Sequence, residues 1–300
     1  MSFKNLKGDD ERKELDMSEP IMKKVKGDGA EINLAIWEGA DTPILCVHGI
    51  TANCRSWDVP AAALTPTHRM LAMDLRGRGR SDKPPSGYSL EQHIRDIIGL
   101  MDDMRLDRAV LMGHSLGAFI SLVFGAQHPE RVDRIILVDG GGKLSADQLD
   151  EVFAAIKPAL DRLGQVFPSA DAYIEAMKSA PYIHPWSPAI EGYYRYELEA
   201  VDGGVRTNID AVHIQEESAN IRKVEPDQFY AKVRSKVLIL RATEGLLSQN
   251  DLLLPEPVVE TMVREIPDAT RFDVEGVNHY GIVFQPNAAR DRAILSFLEA

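Results

Sequence analysis

Gly113-His114-Ser115-Leu116-Gly117 sets a serine between two glycines, where the apolar run Ala109–Met112 gives way to a helical pattern over Leu116–Gln127. A serine on so tight a strand-to-helix turn has a strained backbone and an exposed Oγ, and the glycines let strand and helix approach closely: a nucleophile elbow. Chance matches to Gly-x-Ser-x-Gly occur in a chain of this length, so the strand-turn-helix context carries the assignment. A serine that merely capped the helix would leave the paired glycines unexplained.

A serine hydroxyl is a poor nucleophile at neutral pH and needs a base. Of the eight histidines, His279 stands in Gly276-Val277-Asn278-His279-Tyr280, directly after the last expected strand. Loops at the carboxyl ends of strands in an open α/β sheet converge on one crevice, so His279 can meet Ser115 in space. His48 and His114 adjoin motif residues and read as turn-shaping. The other five histidines show no ligand spacing such as H-E-x-x-H, so no metal is expected. A tetrahedral intermediate requires two backbone donors at its oxygen. Leu116 N–H, after the nucleophile, is one; Ile50 N–H, after the flexible Gly49 in Val47-His48-Gly49-Ile50, is the other.

These residues must be positioned by a sheet. Between Ile21 and Gly142 apolar runs alternate with helical patterns, as in a sheet covered by helices on both faces. Strands are expected at Ile21–Val25, Glu31–Trp37, Pro43–Val47, Met70–Met73, Ala109–Met112 and Ile135–Val138. Ser89 reads as an N-cap with Gln92 at the capping-box position, followed by apolar residues at helical spacing from Leu90 to Met104. Strand logic resumes at Val237–Leu240 and Thr270–Val274, with helices near Glu256–Ile266 and Pro286–Leu298. The pattern of residues 143–232 is helical and punctuated by prolines. Three parts follow: an N-terminal tail (1–20), an α/β core (21–142 and 233–300) and a helical cap (143–232).

Composition narrows the function. In 300 residues, 34 Lys and Arg against 46 Asp and Glu give a net charge of −12, which disfavours nucleic acid and anionic membranes as partners. Hydrophobic residues at 44% and charged residues at 27% exclude a disordered, collagen-like or coiled-coil chain. No stretch reaches ~18 apolar residues, and residues 1–18 lack the apolar run of a signal peptide. With only Cys46 and Cys54, a disulfide framework is excluded and a cytoplasmic, reducing setting is expected.

The chain resembles the α/β-hydrolase fold superfamily over roughly residues 21–300. The marks are His48-Gly49-Ile50, the turn Asp74-Leu75-Arg76-Gly77-Arg78-Gly79-Arg80-Ser81, the elbow at Ser115, Asp139 after its strand, and His279. The resemblance implies an eight-stranded, mostly parallel sheet with a helical cap inserted after the sixth strand. Haloalkane dehalogenases and epoxide hydrolases of this fold carry aspartate at the elbow, so Ser115 separates this chain from them. Three carboxylates compete to orient His279. Asp139 ends the sixth strand, where some members keep the acid, and needs no distortion. Glu244 follows the seventh, where most keep it, but in a broken pattern, Arg241-Ala242-Thr243-Glu244-Gly245. Asp251 recovers an Asp-x-x-x-Pro pattern with Pro255 but lies far along the loop.

The expected function is a serine hydrolase acting by acyl transfer on a small molecule through Ser115, His279 and Asp139, with Ile50 and Leu116 as oxyanion donors and no cofactor. A small carboxylic ester is the default substrate. An amide or carbon–carbon bond of a small carboxylate comes second, by similarity to (acetamidomethylene)succinate hydrolase-type members, which bind a dicarboxylate. Such a ligand calls for at least two cap arginines facing Ser115, and Arg162, Arg195 and Arg206 are the candidates. Nine basic and fifteen acidic residues in the cap argue instead for neutral or weakly charged substrates. The alternative outside catalysis is a ligand receptor on the same fold, which turnover at ~1 to 10³ s⁻¹ would exclude.

Overall fold

A computed structural model describes residues 19–300; the expected tail lies, up to residue 18, outside the described residues. Along the chain run β1 (Ile21–Lys26), β2 (Glu31–Trp37), β3 (Asp41–Val47), α1 (Asp58–Leu64), β4 (His68–Met73), α2 (Leu90–Asp103), β5 (Ala109–His114), α3 (Leu116–Gln127) and β6 (Val132–Val138). The inserted segment forms α4 (Ala146–Ala155), α5 (Lys157–Asp161), α6 (Ala170–Lys178), α7 (Pro188–Tyr196), β7 (Leu198–Val201), β8 (Gly204–Thr207), α8 (Ala211–Ile221) and α9 (Asp227–Tyr230). The core resumes with β9 (Lys236–Ala242), α10 (Glu256–Glu265), β10 (Ala269–Val274), α11 (Gly281–Phe284) and α12 (Ala288–Glu299).

Eight strands make one sheet in the order β1-β2-β4-β3-β5-β6-β9-β10. β2 is antiparallel to β1 and β4, and every other neighbouring pair is parallel. The central strands read as unbroken apolar runs because both of their faces are covered. Alternate side chains point to opposite faces. Ile44, Cys46, Met112 and Ile136 join a core that continues into the cap tyrosines. Leu45, Val47, Leu111 and Ile135 pack with buried residues of α2, α3 and α10. Ser89 Oγ accepts the Gln92 N–H at the start of α2, but the Gln92 side chain turns to Asp28, so the capping box is half formed.

The helical expectation for residues 143–232 needs one correction. β7 and β8 form an antiparallel hairpin around Asp202-Gly203, with positive φ at Gly203 (84°) and Gly204 (145°). Asp-Gly between short runs is a hairpin signal that the surrounding helical pattern obscured.

Cap and core meet at buried polar groups. Asp74, at the end of β4, is fully buried. Its Oδ1 accepts Cys54 N–H at 2.7 Å, and its Oδ2 accepts Arg80 N–H at 2.9 Å, Asn33 Nδ2–H at 2.9 Å and the Tyr196 hydroxyl of α7 at 2.7 Å. Gly79 makes room for it, since a Cβ there would stand 2.2 Å from the carboxyl carbon. His48, also fully buried, joins the ends of β3 and β4. Its Nε2 accepts Leu75 N–H at 3.0 Å, so Nδ1 carries the proton and donates to Gly49 O at 2.7 Å. Burial pushes this ring down from 6.5 to about 4, against the pull of Asp74, and keeps it neutral at pH 7.

Two predictions follow from these joints. Asp74→Ala strands four donors and is expected to cost roughly 3 kcal/mol or more in urea unfolding. For His48, the unfolded ring binds a proton below 6.5 and the folded ring only near 4, so stability falls as pH drops through that window. The loss from this residue is about 3 kcal/mol by pH 4, and unfolding curves of His48→Gln between pH 7 and 4 should lack that part of the slope.

Candidate active site

Ser115 occupies the turn between β5 and α3 with φ 55° and ψ −118°, a region disfavoured for any side-chain-bearing residue. Its N–H donates to Val138 O at 3.1 Å and its carbonyl accepts Ala118 N–H at 2.9 Å, so β6 and the first turn of α3 hold the strained residue. The neighbouring glycines are required by contact. A Cβ on Gly113 would lie 2.0 Å from Gly117 O, and one on Gly117 1.9 Å from Val47 O.

His279 lies in the loop between β10 and α11. Its Nδ1 is 2.8 Å from Asp139 Oδ2, while Asp139 Oδ1 accepts Ala242 N–H at 3.1 Å. Asp139 also has positive φ, 46°, and its N–H is tied to Leu240 O. The other two acids face elsewhere. Glu244 is exposed and accepts from Gln249 Nε2. Asp251 is buried but gathers the N–H groups of Leu246, Leu247 and Ser248 at 2.6, 2.8 and 2.9 Å, closing its own loop. His114 stacks on His279 with ring centroids 4.4 Å apart, and its Nε2–H donates to His279 O at 2.9 Å. Burial first, and the proximity of His279 second, push His114 well below the ordinary histidine range, so it supports its neighbour as a neutral ring.

Ser115, His279, Gly49 and Ile50 line one small cavity of about 30 Å³ roofed by Tyr193 and Tyr280. Among the described residues no hydrogen bond joins the Ser115 hydroxyl to the His279 ring; catalytic hydrogen bonds commonly tighten only once substrate is bound. Leu116 N–H opens α3 and has no carbonyl one turn behind it. Ile50 lies in the loop after β3 and lines the same cavity as Ser115.

Ser115, Ile50 and Ile156 also line a second cavity of about 260 Å³ between the core and α4 and α8. Its wall is mostly apolar, including Leu144, Leu149, Val152, Phe153 and Ile221. Lys143 and Arg222 stand on that wall, unforeseen from the sequence because nothing local marks them. Lys143 pairs with Glu225 and Asp227 and Arg222 with Asp150. The three arginines singled out in the sequence are engaged as well. Arg162 is buried against Glu197, Arg195 pairs with Glu191 and Asp171, and Arg206 pairs with Glu199. They do not form a free two-arginine carboxylate site.

No group of three or more His, Cys, Asp or Glu side chains suited to a metal gathers among the described residues. No helix there is long and apolar enough to cross a membrane.

Known proteins resemble the chain along most of its length. Residues 42–180 match the family model of the alpha/beta hydrolase fold. The chain is 28% identical to 2-(acetamidomethylene)succinate hydrolase of Mesorhizobium japonicum, over 91% of this chain and 94% of that one. It is 25% identical to 3-hydroxybutyrate-oligomer hydrolase of Cupriavidus necator, over 75% of this chain and 80% of the relative. The crystal structure of E-2-(acetamidomethylene)succinate hydrolase superposes with a TM-score of 0.83 at 27% identity, covering 94% of this chain and all of the other. Sheet order, cap position and these likenesses agree: the chain has the α/β-hydrolase fold and is a hydrolase, similar along most of its length to (acetamidomethylene)succinate hydrolase.

Proposed function

We propose that the protein is a serine hydrolase that cleaves a small carboxylic ester by acyl transfer. The 2.8 Å contact between His279 Nδ1 and Asp139 Oδ2, beside the strained Ser115, carries this reading. Asp139 accepts a hydrogen bond from His279 Nδ1–H and so fixes the tautomer whose Nε2 is the base. Ser115 Oγ attacks the carbonyl carbon as its proton passes to His279 Nε2, and the carbonyl oxygen takes the negative charge between the N–H groups of Ile50 and Leu116. Collapse breaks the bond to the leaving group, which receives the proton from His279. Water, deprotonated by the same ring, then releases the acid and restores Ser115.

The 260 Å³ apolar cavity beside Ser115 fits the acyl chain. Its cations are paired with neighbouring carboxylates, which supports an uncharged chain rather than a second carboxylate. The second reading, an amide hydrolase, is favoured by the likeness to 2-(acetamidomethylene)succinate hydrolase across 91% of the chain. The engagement of Arg162, Arg195 and Arg206 with cap acids argues against a dicarboxylate substrate. The two buried free thiols, Cys46 and Cys54, fit a reducing compartment.

A panel of p-nitrophenyl esters and anilides of graded acyl length tests the proposal. Ser115→Ala should lower kcat by ~10⁴-fold or more and abolish fluorophosphonate labelling. Asp139→Asn should lower kcat by ~10³- to 10⁴-fold, whereas Glu244→Gln should stay within about twofold of wild type. Equal turnover by Ser115→Ala would overturn the mechanism, and anilides outpacing every ester would replace the ester by the amide. Each added methylene should raise kcat/KM about fourfold until the cavity is full, at ~0.8 kcal/mol per buried CH₂. Val152→Phe should shift the optimum toward acetyl esters.

A further inference from the structure

The loop after β3 is held by its carbonyls. His48 Nδ1–H donates to Gly49 O at 2.7 Å. In a trans peptide the C=O and the following N–H point in opposite directions, so this bond also aims the Ile50 N–H. Glycine leaves the loop free to rotate, and the next two carbonyls are restrained by guanidinium groups. Arg78 Nε donates to Ile50 O at 3.0 Å. Arg162 Nη2 donates to Thr51 O at 3.0 Å.

Both guanidinium groups are buried and both are anchored in the cap. Arg78 Nη2 pairs with Glu217 Oε2 of α8 at 3.0 Å, and the same oxygen lies 2.7 Å from His93 Nε2 of α2. Burial works against ionisation of Glu217, but His93 and Arg78 outweigh it and hold the carboxyl at about 2. Arg162 makes a two-pronged pair with Glu197, Nε to Oε1 at 2.9 Å and Nη2 to Oε2 at 3.0 Å. Tyr173 also donates to Glu197. Arginine suits this task because its rigid fork binds a carboxylate with one edge while another N–H reaches a carbonyl.

We propose that Arg78 and Arg162 are positioning residues through which the cap glutamates Glu217 and Glu197 fix the direction of the Ile50 N–H, so that the cap sets the geometry of the oxyanion site as well as covering the substrate. The inference rests on Ile50 N–H acting as an oxyanion donor in the serine mechanism proposed above. Its signature is kinetic. A donor misplaced by a fraction of an ångström weakens binding of the tetrahedral state while leaving the acyl cavity intact, so kcat suffers and KM does not.

The test compares wild type, Ser115→Ala, Arg78→Lys and Arg162→Lys on the best ester of the panel, together with inhibition by a trifluoromethyl ketone of matching acyl length. Lysine keeps the charge opposite each glutamate but lacks the second arm that reaches the loop. Each lysine variant should lose roughly 10- to 100-fold in kcat, and the ketone, whose adduct places an oxyanion, should weaken by the same factor. KM should stay within about twofold. If either lysine variant fails to fold, the charge-free pairs Arg78→Met with Glu217→Gln and Arg162→Met with Glu197→Gln carry the same expectation. Unchanged kcat and ketone affinity in folded variants, or a loss confined to KM, overturns the clamp while leaving the serine mechanism standing. Full turnover by Ser115→Ala removes both.

Discussion

Everything at the site depends on how closely four stretches of backbone approach one another at the elbow. Val47 of β3 pairs with Gly113 of β5. Gly117 of α3 packs against the Val47 carbonyl, and a Cβ on Gly140 after β6 would stand 2.7 Å from Ser115 O. No side chain fits at these points. The chain therefore has to place glycine there, and Ser115 has to adopt φ 55°. Such strain is of the order of 1–3 kcal/mol, and it is held by a strand buried along its whole length. That closeness brings the loop that follows β3 within reach of the same point in space as the start of α3. Chemistry that needs two backbone donors and a hydroxyl at one spot is a consequence of sheet packing before it is a matter of side chains.

Legibility in the sequence followed the range of the interaction. The sheet strands and flanking helices were readable because hydrophobic period and capping residues are local. Elbow, loop and histidine were readable because each sits where a strand stops. Strand position put Asp139 first among the three acid candidates, but where the loops of the other two fold is not written in the pattern. Asp251 satisfies three N–H groups of its own segment and Glu244 faces solvent, and neither fact leaves a trace in spacing. The cap hairpin was missed although Asp202-Gly203 marked it, because four-residue strands carry too few side chains to show a period.

Charge was the least readable property. Net acidity of the cap argued for weakly charged ligands, and that inference rested on a sum. In the structure Lys143, Arg162 and Arg222 each face one or more carboxylates. Among the described residues, both cations that line the 260 Å³ cavity, Lys143 and Arg222, are paired locally, which a total charge does not reveal.

The Tyr196 hydroxyl on Asp74 and the Glu217 carboxylate on Arg78 and His93 cross the seam between the inserted segment and the sheet. Exchange of lids between members of a superfamily is an attractive route to new specificity, and these contacts set its terms here. A donor lid without an acid at 217 would leave a guanidinium sealed away from water and unpaired, at several kcal/mol. A lid without a hydroxyl at 196 would leave Asp74 short of one donor. Recombination at residues 142 and 233 therefore has to move with complementary residues on the sheet side, and the unit that can be inherited or engineered as a block is larger than the lid.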